Sequence, residues 1–243
     1  METENTSAAV ETPPELKPTV HNKPLGPLNR AQMEALNVAD MVGGAAQNAD
    51  YALALAGRDI SPEFTRKFRK LVEGVREQAT ALLVSVTVRR VAIINERRAW
   101  DALAAVVKQV QMAAKQKYAR TNRPRLDDYL IGTKWERTNA SLAQASQTVL
   151  GVASTDTLPG INARLKGFQK VREEWVAACD AVAHATAAVA HDRDELAAAI
   201  RTVNDQRFTI QAAAAAEWPH GDESNRTVRL AFGLNPSRQL RAG

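Results

Sequence analysis

The stretch from Gly160 to Glu217, GINARLKGFQKVREEWVAACDAVAHATAAVAHDRDELAAAIRTVNDQRFTIQAAAAAE, runs for 58 residues without a proline. From Ile161 every seventh position is apolar: Phe168, Trp175, Val182, Val189, Leu196, Val203 and Ile210 follow in turn. A heptad rhythm held this long selects a helix with one continuous packed seam and excludes a strand, whose side chains alternate with period two. A second stretch of the same length, Pro62 to Ala119, begins 98 residues earlier and also lacks an interior proline. Its first register is Phe68, Val75, Leu82, Arg89, Glu96, Leu103 and Val110; the companion register is Val72, Ala79, Val86, Ile93, Trp100, Val107 and Ala114. Asn95 and Asp192, the latter with Glu195 three residues on, have the form of helix N-caps that would split each run in two. The unbroken phase through Val86, Ile93 and Trp100, and through Val189 and Leu196, favours continuity.

Shorter helices are marked around these runs. Leu36, Met41, Tyr51, Leu53 and Leu55 predict a helix over residues 31 to 56, ended by Gly57, with Gly43-Gly44 a weak point or a close helix contact. Ser61-Pro62 supplies an N-cap and a first-turn proline for the first long run, and Asn122 and Pro124 mark its exit. Trp135, Leu142, Ala145, Val149 and Val152 share one side of a predicted helix over residues 134 to 153. Asp156 to Gly160 turns the chain into the second long run, which Pro219 and Gly221 close.

The two halves can be laid over each other. At an offset of 97, Phe64, Phe68 and Leu71 fall on Ile161, Leu165 and Phe168; at an offset of 100, Val110, Gln111, Ala113 and Tyr118 fall on Ile210, Gln211, Ala213 and Trp218. The irregular straps that follow end similarly, in Asp128-Tyr129-Leu130-Ile131-Gly132 and Leu230-Ala231-Phe232-Gly233. The expected fold is all-α: an elongated helical bundle of two tandem divergent repeats, each a short helix, a long helix and a strap. The division is a disordered proline-rich arm over residues 1–30, repeat 1 over 31–133 and repeat 2 over 134–243, with both repeats packed as one bundle. The arm holds five of the ten prolines. Because strap and short helix together match one long helix in reach, the expected topology returns the chain to its starting level, so that both long helices point the same way. Leu103, Val107, Val110, Leu196, Ile200, Val203 and Ile210 would then need the straps or another subunit to cover them.

Composition narrows the role without naming it. Hydrophobic residues are 45%, charged residues 24% and aromatic residues only 5%, with alanine-rich runs at Ala197–Ala199 and Ala212–Ala216, which implies a thin helical core. The one cysteine, Cys179, has no disulfide partner within the chain and reads as a structural thiol. No segment reaches the roughly 18 uninterrupted apolar residues of a membrane span. Residues 1 to 30 lack the cationic start and apolar stretch of a secretory signal. The expectation is a cytoplasmic protein with no membrane partner. The net charge of +5 is concentrated: residues 31 to 137 hold 18 basic and 12 acidic groups, residues 138 to 243 hold 11 of each.

No phosphate-binding glycine loop, nucleophile elbow or histidine-glutamate zinc motif is present, and the chain reads as no enzyme. Three weaker constellations remain. His184 and His191, with Asp180 and Glu195 at four-residue offsets, have metal-ligand spacing, but a solvated face with helix-stabilising pairs explains them as well. Arg172, Arg193 and Arg207, and Arg89 and Glu96 in the first run, interrupt the seams, either setting register or holding an anion between the helices. Arg66, Lys67, Arg69, Lys70 and Arg76, continued by Arg89, Arg90, Arg97 and Arg98, give a basic face able to neutralise phosphates, with Glu63, Glu73, Glu77 and Glu96 interleaved. The sequence assigns no catalytic, cofactor-binding or metal residue and implies no cofactor. Its preferred reading is a non-catalytic structural or protein-interaction bundle, self-associating or a subunit of a larger assembly. Sequence-independent nucleic-acid binding through the first repeat is the second reading, and a small-ligand or metal bundle the third.

Overall fold

The computed structural model describes residues 27–133 and 136–236, all helix and connection with no strand among them. The expected arm falls almost wholly outside these residues, as does Trp135. Seven α-helices follow in order: α1 Arg30–Gln47, α2 Ala49–Ala56, α3 Pro62–Tyr118, α4 Arg125–Asp128, α5 Asn139–Thr155, α6 Leu165–Glu217 and α7 Arg226–Ala231. Single 3-10 turns precede α6 at Asn162–Arg164 and α7 at Glu223–Asn225.

Both long helices are unbroken. α3 starts where Ser61 accepts a hydrogen bond from the Phe64 N–H with Pro62 at the first helical position. Asn95 and Asp192 lie inside their helices; Asp192 caps nothing and instead accepts a hydrogen bond from Ser85 across the seam. The helix expected over 31 to 56 is two, because the Asn48 side chain accepts from the Asp50 N–H and restarts the helix at a bend. α5 begins at Asn139, later than expected, where Thr138 accepts from the Ser141 N–H.

The long helices run antiparallel, which corrects the expectation that they point the same way. Arg58 pairs with Glu217 at 2.9 Å, the Arg89 Nε donates to Thr186 at 3.1 Å, and Cys179 Sγ lies 3.9 Å from Glu96. Numbers rise along one helix as they fall along the other. The reason lies in the strap. After α3 the chain descends to the level where Asn139 donates to Glu96 at 2.5 Å, and α5 then climbs back until Asp156 meets Lys117 at 2.7 Å. Strap and short helix retrace each other rather than adding, so α6 starts at the far end of α3.

This topology makes two separate cores. One gathers α1, α2, the first part of α3, the last part of α6 and α7 around Phe68, Val72, Val75, Leu196, Val203, Ile210 and Phe232. The other gathers the last part of α3, Tyr129, α5 and the first part of α6 around Leu103, Val107, Val110, Leu142, Val149, Phe168 and Trp175. Leu103, Val107, Val110, Leu196, Ile200, Val203 and Ile210 are thus all buried within the chain. Gly43 serves as the close contact: a Cβ there would sit 3.1 Å from Arg69 Cγ and 3.2 Å from Phe68 Cε1. Gly44 faces open space.

Each strap is pinned in the same manner. The Gln111 side-chain amide donates to the Tyr129 carbonyl at 2.9 Å, and that of Gln211 to the Phe232 carbonyl at 2.8 Å. Tyr118 stacks on Tyr129, and Trp218 on Phe232. Gly132 and Gly233 follow with φ of 94° and 63°. At Gly233 the left-handed backbone is joined by crowding, since a Cβ would lie 3.1 Å from Met41 Cε.

A buried carboxylate locks the α5 end. Asp156, its side chain 8% exposed, accepts from Lys117 Nζ, from the Tyr118 hydroxyl at 2.5 Å, from the Tyr129 hydroxyl at 2.6 Å and from the Thr157 N–H at 2.7 Å. Burial pushes its pKa up, but these donors outweigh that and hold the group well below the usual carboxylate range. Burial and the neighbouring Asp156 push Tyr129 far above the usual phenol range. A carboxylate with a depressed folded pKa contributes stability above its unfolded value of about 4, lost as pH falls through the folded value. Asp156→Asn is therefore expected to lower stability by about 2 kcal/mol at pH 7. In urea titrations the loss should shrink as pH falls below about 4, where the unfolded carboxylate takes up a proton that the native one still refuses.

Candidate interaction surface

Between the two cores, among the described residues, the molecule narrows to α3 and α6. This waist runs from Leu82 to Glu96 on α3, roughly 20 Å at 1.5 Å per residue, opposite Cys179 to Val189 on α6; Asn139 at Glu96 and Arg137 at Trp100 then bring the start of α5 alongside. Its seam is poor in large apolar side chains. On α3 the inward positions are Ser85, Arg89, Ala92 and Glu96; on α6 they are Ala178, Cys179, Val182 and Ala185.

The bulky apolar residues of the α3 waist point outward. Val84 is 59% exposed, Val88 54%, Val91 51%, Leu83 47% and Ile94 44%, and Val86 and Ile93 are also exposed. They surround the helix on every side except the seam. A helix apolar all round is ordinarily buried, and among the described residues this one has a single neighbouring helix. On α6 the outward residues are mostly alanine, Ala177, Ala181, Ala183, Ala187, Ala188 and Ala190, with Val176 the largest apolar one. The sequence carries the signal, because valine and isoleucine occupy nearly every position from Leu83 to Ile94 that threonine, serine, alanine and arginine leave. The residues expected to need cover from straps or another subunit are buried at the two ends, and the exposed apolar surface lies in the middle.

The other sequence constellations take ordinary places. His191 Nε2 lies 3.2 Å from Glu195 on an exposed face, His184 and Asp180 are exposed, and no group of three or more His, Cys, Asp or Glu able to hold a metal occurs among the described residues. Much of the basic face is engaged: Lys67 pairs with Glu63 at 2.8 Å, Arg69 donates to Gln47 at 2.9 Å, and Arg76 pairs with Asp40. Arg66 and Lys70 are exposed, as are Glu73 and Glu77. Cys179 faces Glu96, and burial together with that carboxylate pushes its thiol up, away from the thiolate form. Arg137 lies over the Trp100 ring at 4.9 Å, edging an open hollow of about 390 Å³ with Asp101, Ala104 and Lys108.

The seam arginines divide. Arg89 is satisfied by Thr186 and Arg193 is exposed. Arg172 and Arg207 each bury a guanidinium Nε with no hydrogen-bond partner, and burial lowers the pKa of Arg207, which lies over the Phe208 ring at 4.5 Å. An orphaned buried donor costs stability rather than adding it. Arg207→Met is expected to leave the urea midpoint unchanged or raise it by up to about 1 kcal/mol in stability. A loss of that size would show that the guanidinium sets the seam register.

Comparison with protein-family models, with curated proteins and with solved structures finds no match to this chain. No helix among the described residues is long and apolar enough to cross a membrane.

Proposed function

We propose that the chain is a non-catalytic interaction protein, a rod whose two built ends hold out an apolar waist as the docking surface. The observation that carries this reading is the ring of exposed valines, isoleucines and leucine on α3, which among the described residues has one neighbouring helix where burial requires more. Both ends are fully packed within the chain, and their polar groups are committed to structure: Asp156 to three side chains, Gln111 and Gln211 to the straps. The matched strap hydrogen bonds, stacked aromatic pairs and left-handed glycines further support two tandem divergent repeats, 31–133 and 134–243, packed as one bundle. An antiparallel pair of such units has its pseudo-twofold axis across the rod. A cytoplasmic site of action fits this reading.

The test is a photo-crosslinker at Val88 in the full chain, in its source cells, with the same group at Lys70 as control. Lys70 is exposed and lies outside the waist. The expected result is a protein adduct from Val88 and none from Lys70. No adduct from Val88 overturns the reading, and adducts to nucleic acid alone would favour the phosphate-binding reading of the first repeat instead.

A further inference from the structure

Two neighbouring registers of α3 can be followed from one end of the rod to the other. The register that begins with Arg69 and Arg76 meets α1 there, through Gln47 and Asp40, and ends on Gln111 and Tyr118, which bind the strap and the exit of α5. Between these ends it runs through Leu83, Arg90 and Arg97, all exposed. The adjoining register is buried at Val72, Ala79, Val107 and Ala114 but opens at Val86, 38% exposed, and Ile93, 40%. α1 and α5 therefore share one groove along α3, and a gap separates them.

Both helices begin at that gap. α1 is antiparallel to α3, so ten residues back from Asp40 at Arg76 its first residue, Arg30, stands beside about Val86. α5 begins at Asn139, beside Glu96. The opening is thus about ten residues of α3, roughly 15 Å. Leu28 packs against the adjoining core and Asn29 with Gln32 caps α1, so the chain leaves the helix on the rod, at the edge of the gap. Residues 1–26, which lie outside the described residues, are joined to the fold here.

We propose that residues 1–26 occupy this groove, crossing the gap from the start of α1 toward the start of α5, with Leu25 seated over Val86 and Ile93. The inference goes beyond the partner reading and does not rest on it, since Val88 stands about 200° round the helix from Val86 and Arg90. Reach fits. At about 3.1 Å per residue an extended proline-rich chain crosses the gap in about five residues; Leu25, two before Pro27, falls between Val86 and Ile93, and Val20 comes level with Trp100. Pro13, Pro14, Pro18 and Pro24 fix φ, so less chain freedom is lost on docking. Tethering decides among occupants. A segment joined at the edge of the gap is present there at an effective concentration on the order of millimolar, which a second copy or a free partner at micromolar concentration does not match.

Charge agrees farther along. Open hollows of about 240, 390 and 340 Å³ continue the groove along α3 from Ile93 past Trp100 to Lys108 and Lys115. Both lysines are exposed and make no ion pair among the described residues. Lys115 lies 29 residues beyond Val86, roughly 44 Å along the helix, while Glu15 and Glu11 lie 12 and 16 residues before Pro27, roughly 37 and 50 Å of extended chain. Residues 1–16 hold four glutamates and no lysine or arginine, so an acidic stretch comes level with unspent basic groups.

Thiol labelling of the full chain in a Cys179→Ala background tests the proposal, with folding checked by circular dichroism. Ile93→Cys lies beneath the proposed segment; Val91→Cys, about 200° round the helix, does not. The native residues are 40% and 51% exposed, so two uncovered thiols there should react at similar rates. The expected result is labelling about tenfold slower at Ile93→Cys, restored to within about twofold of Val91→Cys when Val20→Asp and Leu25→Asp are added. Equal rates without those two changes, or slow labelling that they leave unaltered, would overturn the proposal. Protection that disappears on dilution from about 50 µM to about 1 µM would assign the cover to a second copy and overturn it as well. Should Ile93→Cys fail to fold, a photo-crosslinker at Arg90 of the purified chain is expected to give an adduct within the chain to residues 18–26; adducts elsewhere only, or none, count against the segment. These outcomes are independent of the Val88 adduct, so either reading can fail while the other stands.

Discussion

The antiparallel seam between α3 and α6 is the constraint on which the rest of the structure depends. Because the helices start at opposite ends and stay unbroken, every other element has to choose an end, and the chain builds two cores rather than one. α1, α2 and α7 complete the end where Phe68 faces the Val203 to Ile210 segment. α4 and α5 complete the end where Val107 and Val110 face Phe168 and Trp175. Neither group is long enough to reach the centre, so the waist is a consequence of element lengths. The apolar character of that waist is a choice of the sequence, since nothing in a two-helix rod requires valine at 84, 88 and 91.

The ends are secured by interactions that bind strap to helix. At one end a carboxylate collects Lys117, Tyr118 and Tyr129, drawing the last turn of α3, the strap and the exit of α5 onto one atom pair. At the other, Tyr51, Trp218 and Phe232 form an aromatic cluster, with Tyr51 edge-on to both rings. There the Arg229 side chain, buried, donates to the carbonyls of Trp218 and Asn235. One end is polar and charge-bound, the other aromatic and bound through main-chain carbonyls. The strap position is nonetheless equivalent, as the glutamine amides at 111 and 211 show.

The sequence made the helices legible because periodicity is a local property. Ser61-Pro62, Gly57 and the heptad registers located the long helices to within a residue or two at most ends. The break at Asn48 was missed although Asn-Ala-Asp is a capping signal, because the apolar pattern on both sides read as one helix. Direction was misread for a different reason. Lengths give the reach of a strap but not its sense, and the contacts that decide it, Asn139 with Glu96 and Asp156 with Lys117, join residues 39 to 43 apart with no periodic trace. The apolar waist was present in the registers as Val86 and Ile93, which looked like core. Only the positions of α1 and α5 reveal that no described residue covers them.

Spin-label distance measurement between Lys70→Cys and Lys166→Cys tests the antiparallel seam most directly, in a Cys179→Ala background diluted with unlabelled protein. With α6 entering at the far end of α3, the two labels stand about 39 residues apart along the rod, and the distance is expected near 60 Å. A distance under about 20 Å would place both helix starts at one end and contradict the two-core, narrow-waisted architecture.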